Sequence, residues 1–156
     1  MAKVLVIYHS QSGNTKAAAD IVSEAASGIT GIEVTVKKAL DATVDDLLSC
    51  DAIAIGTPDY FSYMAGGLKD FFDRTFYPTR GSVTGKPCGI FLTHGGGGRA
   101  IESVERICSS FKFSLVDSSV LVLNSPDDEA KIALSKLGER VAEAAKEGPV
   151  IEPETN

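Results

Sequence analysis

The sequence predicts a three-layer α/β domain: a five-stranded parallel sheet in the order 2-1-3-4-5 with helices on both faces. Three observations carry this prediction. Apolar runs alternate with helical patterns along the chain, the order of a parallel sheet joined by crossover helices. Three of the runs, "KVLVIY" (Lys3 to Tyr8), "DAIAIG" (Asp51 to Gly56) and "PCGIFLTH" (Pro87 to His94), are nearly continuous, as strands covered on both faces must be. Five strands in 156 residues also fit this order better than the six-stranded dinucleotide-binding arrangement.

Taken in order, Lys3 to Tyr8 is the first strand. The helix after it carries Ala18, Ile21, Val22 and Ala25 on one face and stops at Gly28. "IEVTVKK" (Ile32 to Lys38) alternates, so it reads as a strand with a wetter face near an edge. Asp51 to Gly56 is the next buried strand, followed by a helix from about Gly66 to Phe76 that carries Leu68, Phe71, Phe72 and Phe76. Pro87 to His94 precedes a helix from about Arg99 to Phe111, and "FSLVDSSVLVL" (Phe113 to Leu123) supplies the last strand. Ser125 is the expected cap of the final helix, with Pro126 at its first position and Asp127, Asp128 and Glu129 at the positive end of its dipole. Ala133, Leu137, Val141 and Ala145 line its packed face, and Gly148-Pro149 ends it. The expected organisation is a single domain over 1–148 and a frayed tail over 149–156.

Composition narrows the function. A net charge of −6 and a pI near 4.9 argue against nucleic acid and anionic membranes as partners. No apolar run approaches the roughly 20 residues that cross a bilayer, and the N-terminus shows no signal-peptide cleavage pattern. Cys50, Cys88 and Cys108 are odd in number and form no C-x-x-C pair, so the expectation is three reduced, buried thiols in a cytoplasmic protein with no metal site.

In sheets of this order, ligands sit beyond the carboxyl ends of the strands, where the strand order reverses. Three loops meet there. In "SQSGNT", Ser10, Ser12 and Thr15 offer hydroxyls, Asn14 an amide, and Gly13 a close backbone approach at a helix N-terminus. Such an end can hold a phosphate through N–H groups and dipole without a cluster of cations. A simple capping turn is the alternative, although capping needs one such residue. The loop is neither a Walker sequence nor G-x-G-x-x-G. The second loop, "GTPDYFSYMAGG" (Gly56 to Gly67), places Tyr60, Phe61, Tyr63 and Met64 beyond a strand end, as a cover for something flat and apolar or as local packing. Pro58 stiffens it, and Asp59 is a candidate acceptor for a ring N–H. The third, "THGGGGRA" (Thr93 to Ala100), either lets backbone approach a ligand or is a flexible surface loop. His94 beside it is a candidate ligand-facing group or a structural histidine.

At these residues the chain resembles the flavodoxin-like FMN-binding family, which includes flavodoxins and NAD(P)H:quinone oxidoreductase-type flavoproteins. "SQSGNT" is similar to the flavodoxin phosphate loop S/T-x-S/T-G-x-T. "GTPDYFSYMAGGLKDFFDRTF" is similar to the quinone-reductase segment G-[ST]-P-x-x-F/Y-x-x-M-x-G/S-x-L-K-x-F-x-D-R. The resemblance spans nearly the whole chain and implies a flavodoxin-like sandwich. It further implies that Ser10, Ser12, Gly13, Asn14 and Thr15 bind the FMN phosphate. Pro58, Asp59, Tyr60 and Phe61 would line the flavin ring, and Thr93, Gly95, Gly96 and Gly97 would close its other side. Gln11, Thr57 and His94, within the same loops, complete the expected cofactor-binding set. Leu68, Lys69, Phe71 and Arg74 match the second motif on a helix beyond the loop, where packing and surface roles suffice. Two departures stand out: the chain is more compact than the quinone reductases, and its third loop has no aromatic residue.

The expectation is an FMN-binding redox flavoprotein acting in electron transfer with a redox partner protein, as a monomer or homodimer. The alternative is an NAD(P)H-dependent FMN enzyme reducing quinones or similar acceptors. No residue is assigned as catalytic, and Tyr60 and His94 are the first candidates if hydride transfer occurs. A signalling receiver domain shares the strand order, but "YHSQSGNT" and "GTPDYF" lack its acidic cluster and phospho-acceptor aspartate.

Overall fold

A strand that is apolar at every position is stable only where both of its sides are covered, and the central strands meet that condition. The computed structural model describes residues 1–151. β1 (Ala2–Tyr8) lies between β2 (Ile32–Lys38) and β3 (Ala52–Tyr60), parallel to both. β5 (Pro87–His94) runs parallel to β3 on its far side. Two short strands, β6 (Ser114–Leu115) and β7 (Val120–Leu123), both pair parallel with β5. The order β2-β1-β3-β5-β6 is the predicted 2-1-3-4-5 arrangement, with β2 at the edge as its alternating pattern requires.

Successive residues of β1 feed opposite cores. Leu5 and Ile7 pack with α2 (Val44–Ser49), α3 (Gly66–Thr79) and α4 (Ile101–Ser110). Val4, Val6 and Tyr8 pack with α1 (Asn14–Ser27) and α5 (Asp128–Glu147). Each fully buried Val, Leu, Ile or Phe contributes about 1.5–3 kcal/mol. The α2–α3–α4 side is filled with large rings, Phe71, Phe72, Phe111 and Phe113. The α1–α5 side is built from small residues, so helices and sheet approach closely. A Cβ at Gly138 would strike the Val22 carbonyl, and one at Gly56 would strike the Phe91 ring. On α1 the packed face is Ala18, Ala19, Val22 and Ala26, turned slightly from the predicted stripe, with Ile21 and Ala25 half-buried.

The structure departs from the sequence reading at four places, and the sheet has seven strands rather than five. The predicted strand Phe113 to Leu123 is split between Leu115 and Val120, where Asp117 pairs with Arg140 and Ser119 donates to Glu105. α2 was not predicted; a capping box starts it, in which Thr43 Oγ1 accepts from Asp46 N (3.1 Å) and Asp46 Oδ2 accepts from Thr43 N (2.9 Å). Its other end is held by the buried Lys86, whose Nζ donates to the Leu47 carbonyl at 2.5 Å. β3 runs four residues past Gly56 and folds back antiparallel onto β4 (Tyr63–Met64). The cap of α5 is Asp127, which accepts from Ala130 N at 2.8 Å, in place of Ser125.

All three cysteines are free and buried. Burial pushes the Cys50 thiol up to about 11, against the pull of the nearby Lys86 ammonium. A hydrogen bond with Cys108, together with burial, raises Cys88. Cys50 and Cys88 are thereby held as protonated thiols of low reactivity. Of the predicted tail, Val150 N donates to the Gly85 carbonyl at 2.9 Å; residues 152–156 lie outside the described residues. Among the described residues, no helix is long and apolar enough to cross a membrane.

Candidate functional site

Parallel pairing brings the carboxyl ends of β1, β3 and β5 level, with Tyr8 opposite Gly56 and Pro58 opposite Thr93. The three loops leaving these ends surround a cavity of about 200 Å³. Ser10, Gln11, Ser12, Asn14 and Thr15 line it from the first loop, Pro58, Asp59 and Tyr60 from the second, and Thr93, His94 and Gly95 from the third.

The loops are tied to one another in pairs. Thr15 and Thr93 share a buried hydroxyl–hydroxyl hydrogen bond of 2.7 Å, joining the first loop to the third. Asp59 joins the second to the third: its Oδ1 accepts from Ser62 N (2.9 Å) and its Oδ2 from Ala100 N (3.1 Å), at the start of α4. Ser103 adds a second tie there, accepting from Met64 N at 3.3 Å and donating to the Ala100 carbonyl at 2.6 Å. Tyr60 leans over the first loop; burial raises its hydroxyl pKa, opposed by a hydrogen bond with the Gln11 backbone. His9 meets the Tyr60 ring edge-on at 6.0 Å.

The start of α1 is left open to a ligand. Its N-cap is Gly13, in the left-handed region at φ 101°, with no side-chain cap and no acidic residue in the first turn. A glycine is suited to that conformation, and without a capping side chain the first N–H groups are available to a ligand. The nearest cation on the helix, Lys16, is exposed and paired with Asp20 at 3.0 Å. The loop therefore presents neutral donors backed by the helix dipole, a set that suits a phosphate monoester.

Other expected residues stand outside the cavity, each for a local reason. Phe61 and Ser62 form the two-residue turn between β3 and β4, both at positive φ (57° and 62°), and the Phe61 side chain is wholly exposed. Thr57 is buried and its hydroxyl is used locally, donating to the Pro58 carbonyl (2.9 Å) and accepting from Ala65 N (3.0 Å). Gly96 and Gly97 are exposed at φ 151° and 116°, with open space where a Cβ would be. From the second motif, Leu68 and Phe71 are core, Lys69 pairs with Asp73, and Arg74 donates to the Ala39 and Ala42 carbonyls.

Asn124 is a lining residue that the sequence reading missed. It sits at φ 56° just after β7, and its N–H donates to the His94 carbonyl at 2.8 Å. The available signal was its place at a fourth strand end, in a residue type that tolerates the left-handed region. His94 itself carries an unusual atom: Nδ1 is buried and has no hydrogen-bond partner among the described residues. Buried polar atoms in native proteins are nearly always paired, so an orphan beside a cavity fits a missing ligand contact.

The chain and its fold match known proteins. A family profile described as "NADPH-dependent FMN reductase" matches residues 32–127. A flavodoxin of Aquifex aeolicus (strain VF5) is 33% identical over 160 residues, covering 92% of this chain and 86% of the relative. The chain belongs to the flavodoxin-like FMN-binding family. The solved structure of a flavodoxin from the domain Archaea superposes with a TM-score of 0.84 at 27% identity, covering 92% of this chain and 99% of that one. Two-electron reduced Megasphaera elsdenii flavodoxin superposes at 0.76, also with 27% identity, covering 92% and 98%. This flavodoxin-like protein is thus a redox flavoprotein of electron transfer, and its cofactor is FMN. The open α1 terminus, the unpaired His94 nitrogen and the unobstructed glycine backbone fit that cofactor.

Proposed function

We propose that the chain carries electrons between redox partner proteins in the cytoplasm, as one domain over 1–148 with a short tail. In this reading Ser10, Ser12, Asn14 and Thr15 hold the FMN phosphate by hydroxyl, amide and backbone donors around Gly13. Tyr60 covers one side of the ring, and Thr93, His94 and Gly95 bound the other. FMN supplies the redox chemistry. The chain's residues bind it, orient it and set its surroundings. Asp59 positions the second and third loops by accepting a backbone N–H on each carboxylate oxygen, and the remaining lone pairs can accept the ring N–H in this reading.

The observation that carries the reading is the α1 N-terminus, uncapped behind a left-handed glycine and lined by hydroxyls at a strand-order reversal. Quenching of FMN fluorescence on titration, with a shifted flavin absorption spectrum, is the expected result. Absence of both would defeat the site. A second reading, direct reduction of FMN by NAD(P)H with a quinone-type acceptor, is favoured by the family profile's description and by a third loop without an aromatic ring. Rapid NAD(P)H oxidation by the FMN-loaded protein in the presence of a quinone would establish it over the carrier reading; no oxidation is expected.

A further inference from the structure

We propose that His94 is the ionisable group that couples charge on the bound cofactor to proton uptake from water; the proposal rests on the FMN site described above. His94 ends β5 at the sheet's carboxyl edge and lines the cavity beside Thr93, Gly95 and Asn124. Its backbone is fixed on the β7 side, by its register opposite Leu123 and by the hydrogen bond from Asn124 N to its carbonyl. Gly98 packs beside the imidazole at φ 66°, and a Cβ there would strike the Leu121 side chain and lie 3.4 Å from ring atom Cδ2. One ring nitrogen, Nδ1, is buried without a partner among the described residues, while the residue as a whole is half-buried, leaving a route for a proton from solvent.

The surroundings single out this ring. Of the ionisable groups on the elements packed around it, Asp59 already accepts two backbone N–H groups. Lys16 is paired with Asp20, and Asp127 caps α5. Arg99, on the same loop, is exposed, and Tyr60 remains neutral, its pKa raised. Histidine is the residue type whose ordinary charge change falls near neutral pH, and His94 is the histidine in the cavity lining. Negative charge delivered to a partly desolvated cavity favours a cation beside it. When a reductant, dithionite in the test, delivers two electrons, His94 takes up at most one proton from water, the fraction set by pH, and returns it on reoxidation by ferricyanide. The imidazole changes by that proton alone, and no bond between heavy atoms of the chain is made or broken.

The test is a ring-resonance NMR titration of the FMN-loaded protein, oxidised and dithionite-reduced. The chain has two histidines, so His9→Gln assigns the signals. The His94 midpoint is expected to move up by about one pH unit or more on reduction, a tenfold gain in proton affinity. A smaller or opposite movement overturns the proposal. In His94→Gln, the change of slope with pH in the midpoint potential is expected to vanish; a change of slope that persists also overturns it. If the unmodified protein fails to quench FMN fluorescence, the FMN site itself falls and this proposal with it. Quenching with an unmoved His94 titration removes only the role of His94.

Discussion

The first and second loops both leave buried parallel strands at the same edge of the sheet, yet they treat their polar groups in opposite ways. The Ser10–Thr15 turn leaves donors open: no side chain caps α1, and Ser12 is exposed with no side-chain hydrogen bond among the described residues. The Asp59–Met64 hairpin satisfies its groups internally, through Asp59, Thr57 and Ser103. One loop is prepared for a ligand, whereas the other is a wall whose position is set before any ligand arrives. Substitution of Ser12 should therefore affect binding alone, whereas substitutions in the second loop should affect stability together with binding.

The largest expected effect is on the wall. Asp59→Ala removes the acceptor of two backbone N–H groups and should lower stability by about 2–3 kcal/mol, since hydrogen bonds to charged groups are worth roughly 1.5–3 kcal/mol each and the freed N–H groups can partly rehydrate. Urea denaturation measures this, and unchanged stability would mean that the hairpin is not held by Asp59. Ser12→Ala should weaken FMN binding about tenfold, roughly 1.4 kcal/mol, with stability within about 0.5 kcal/mol of the parent. A matching loss of stability in denaturant would erase the contrast between the loops.

Phe61→Gly should raise thermal stability by about 1 kcal/mol, because a non-glycine residue at φ 57° costs roughly 1–2 kcal/mol and this side chain buries nothing. A fall in Tm would show that Phe61 packs against something in solution. The smallest effect lies away from both loops, in the capping box of α2. Burial raises the Asp46 pKa, but hydrogen bonds from Lys37 and Thr43 outweigh it and the net shift is downward. A carboxylate with a depressed folded pKa contributes stability above its unfolded value and loses it as pH falls through the folded one. Asp46→Asn should therefore be less stable than the parent at pH 7, with the gap closing below about pH 4. A gap that persists at pH 3 would rule out the ionised cap.

The fold was legible because the unbroken runs at Val4–Tyr8, Ala52–Ile55 and Cys88–Leu92 reflect burial on both faces. α2 was harder to read. Six residues give too little periodicity, although "TVDD" held the capping signal. At the break around Asp117 and Ser119 the partners are Arg140 and Glu105, residues distant in sequence. Ser125 and Asp127 can both cap a helix, and the chain uses Asp127, whose side chain accepts from Ala130 N. In the site, the hydroxyl-rich turn and the glycine run were visible as composition. The turn at Phe61-Ser62 was not, since it lacks the Asn-Gly pair that announces such hairpins.

By itself, then, the sequence determined the layers, the strand order and the three loops that meet, because burial and helix-terminal chemistry act over a few neighbouring residues. Tertiary structure alone decided the ties Thr15–Thr93 and Asp59–Ala100, the outward turn of Phe61, the arrival of Asn124 and the unpaired nitrogen of His94. Each of these depends on which distant group lies within about 3 Å, a distance that no local pattern encodes.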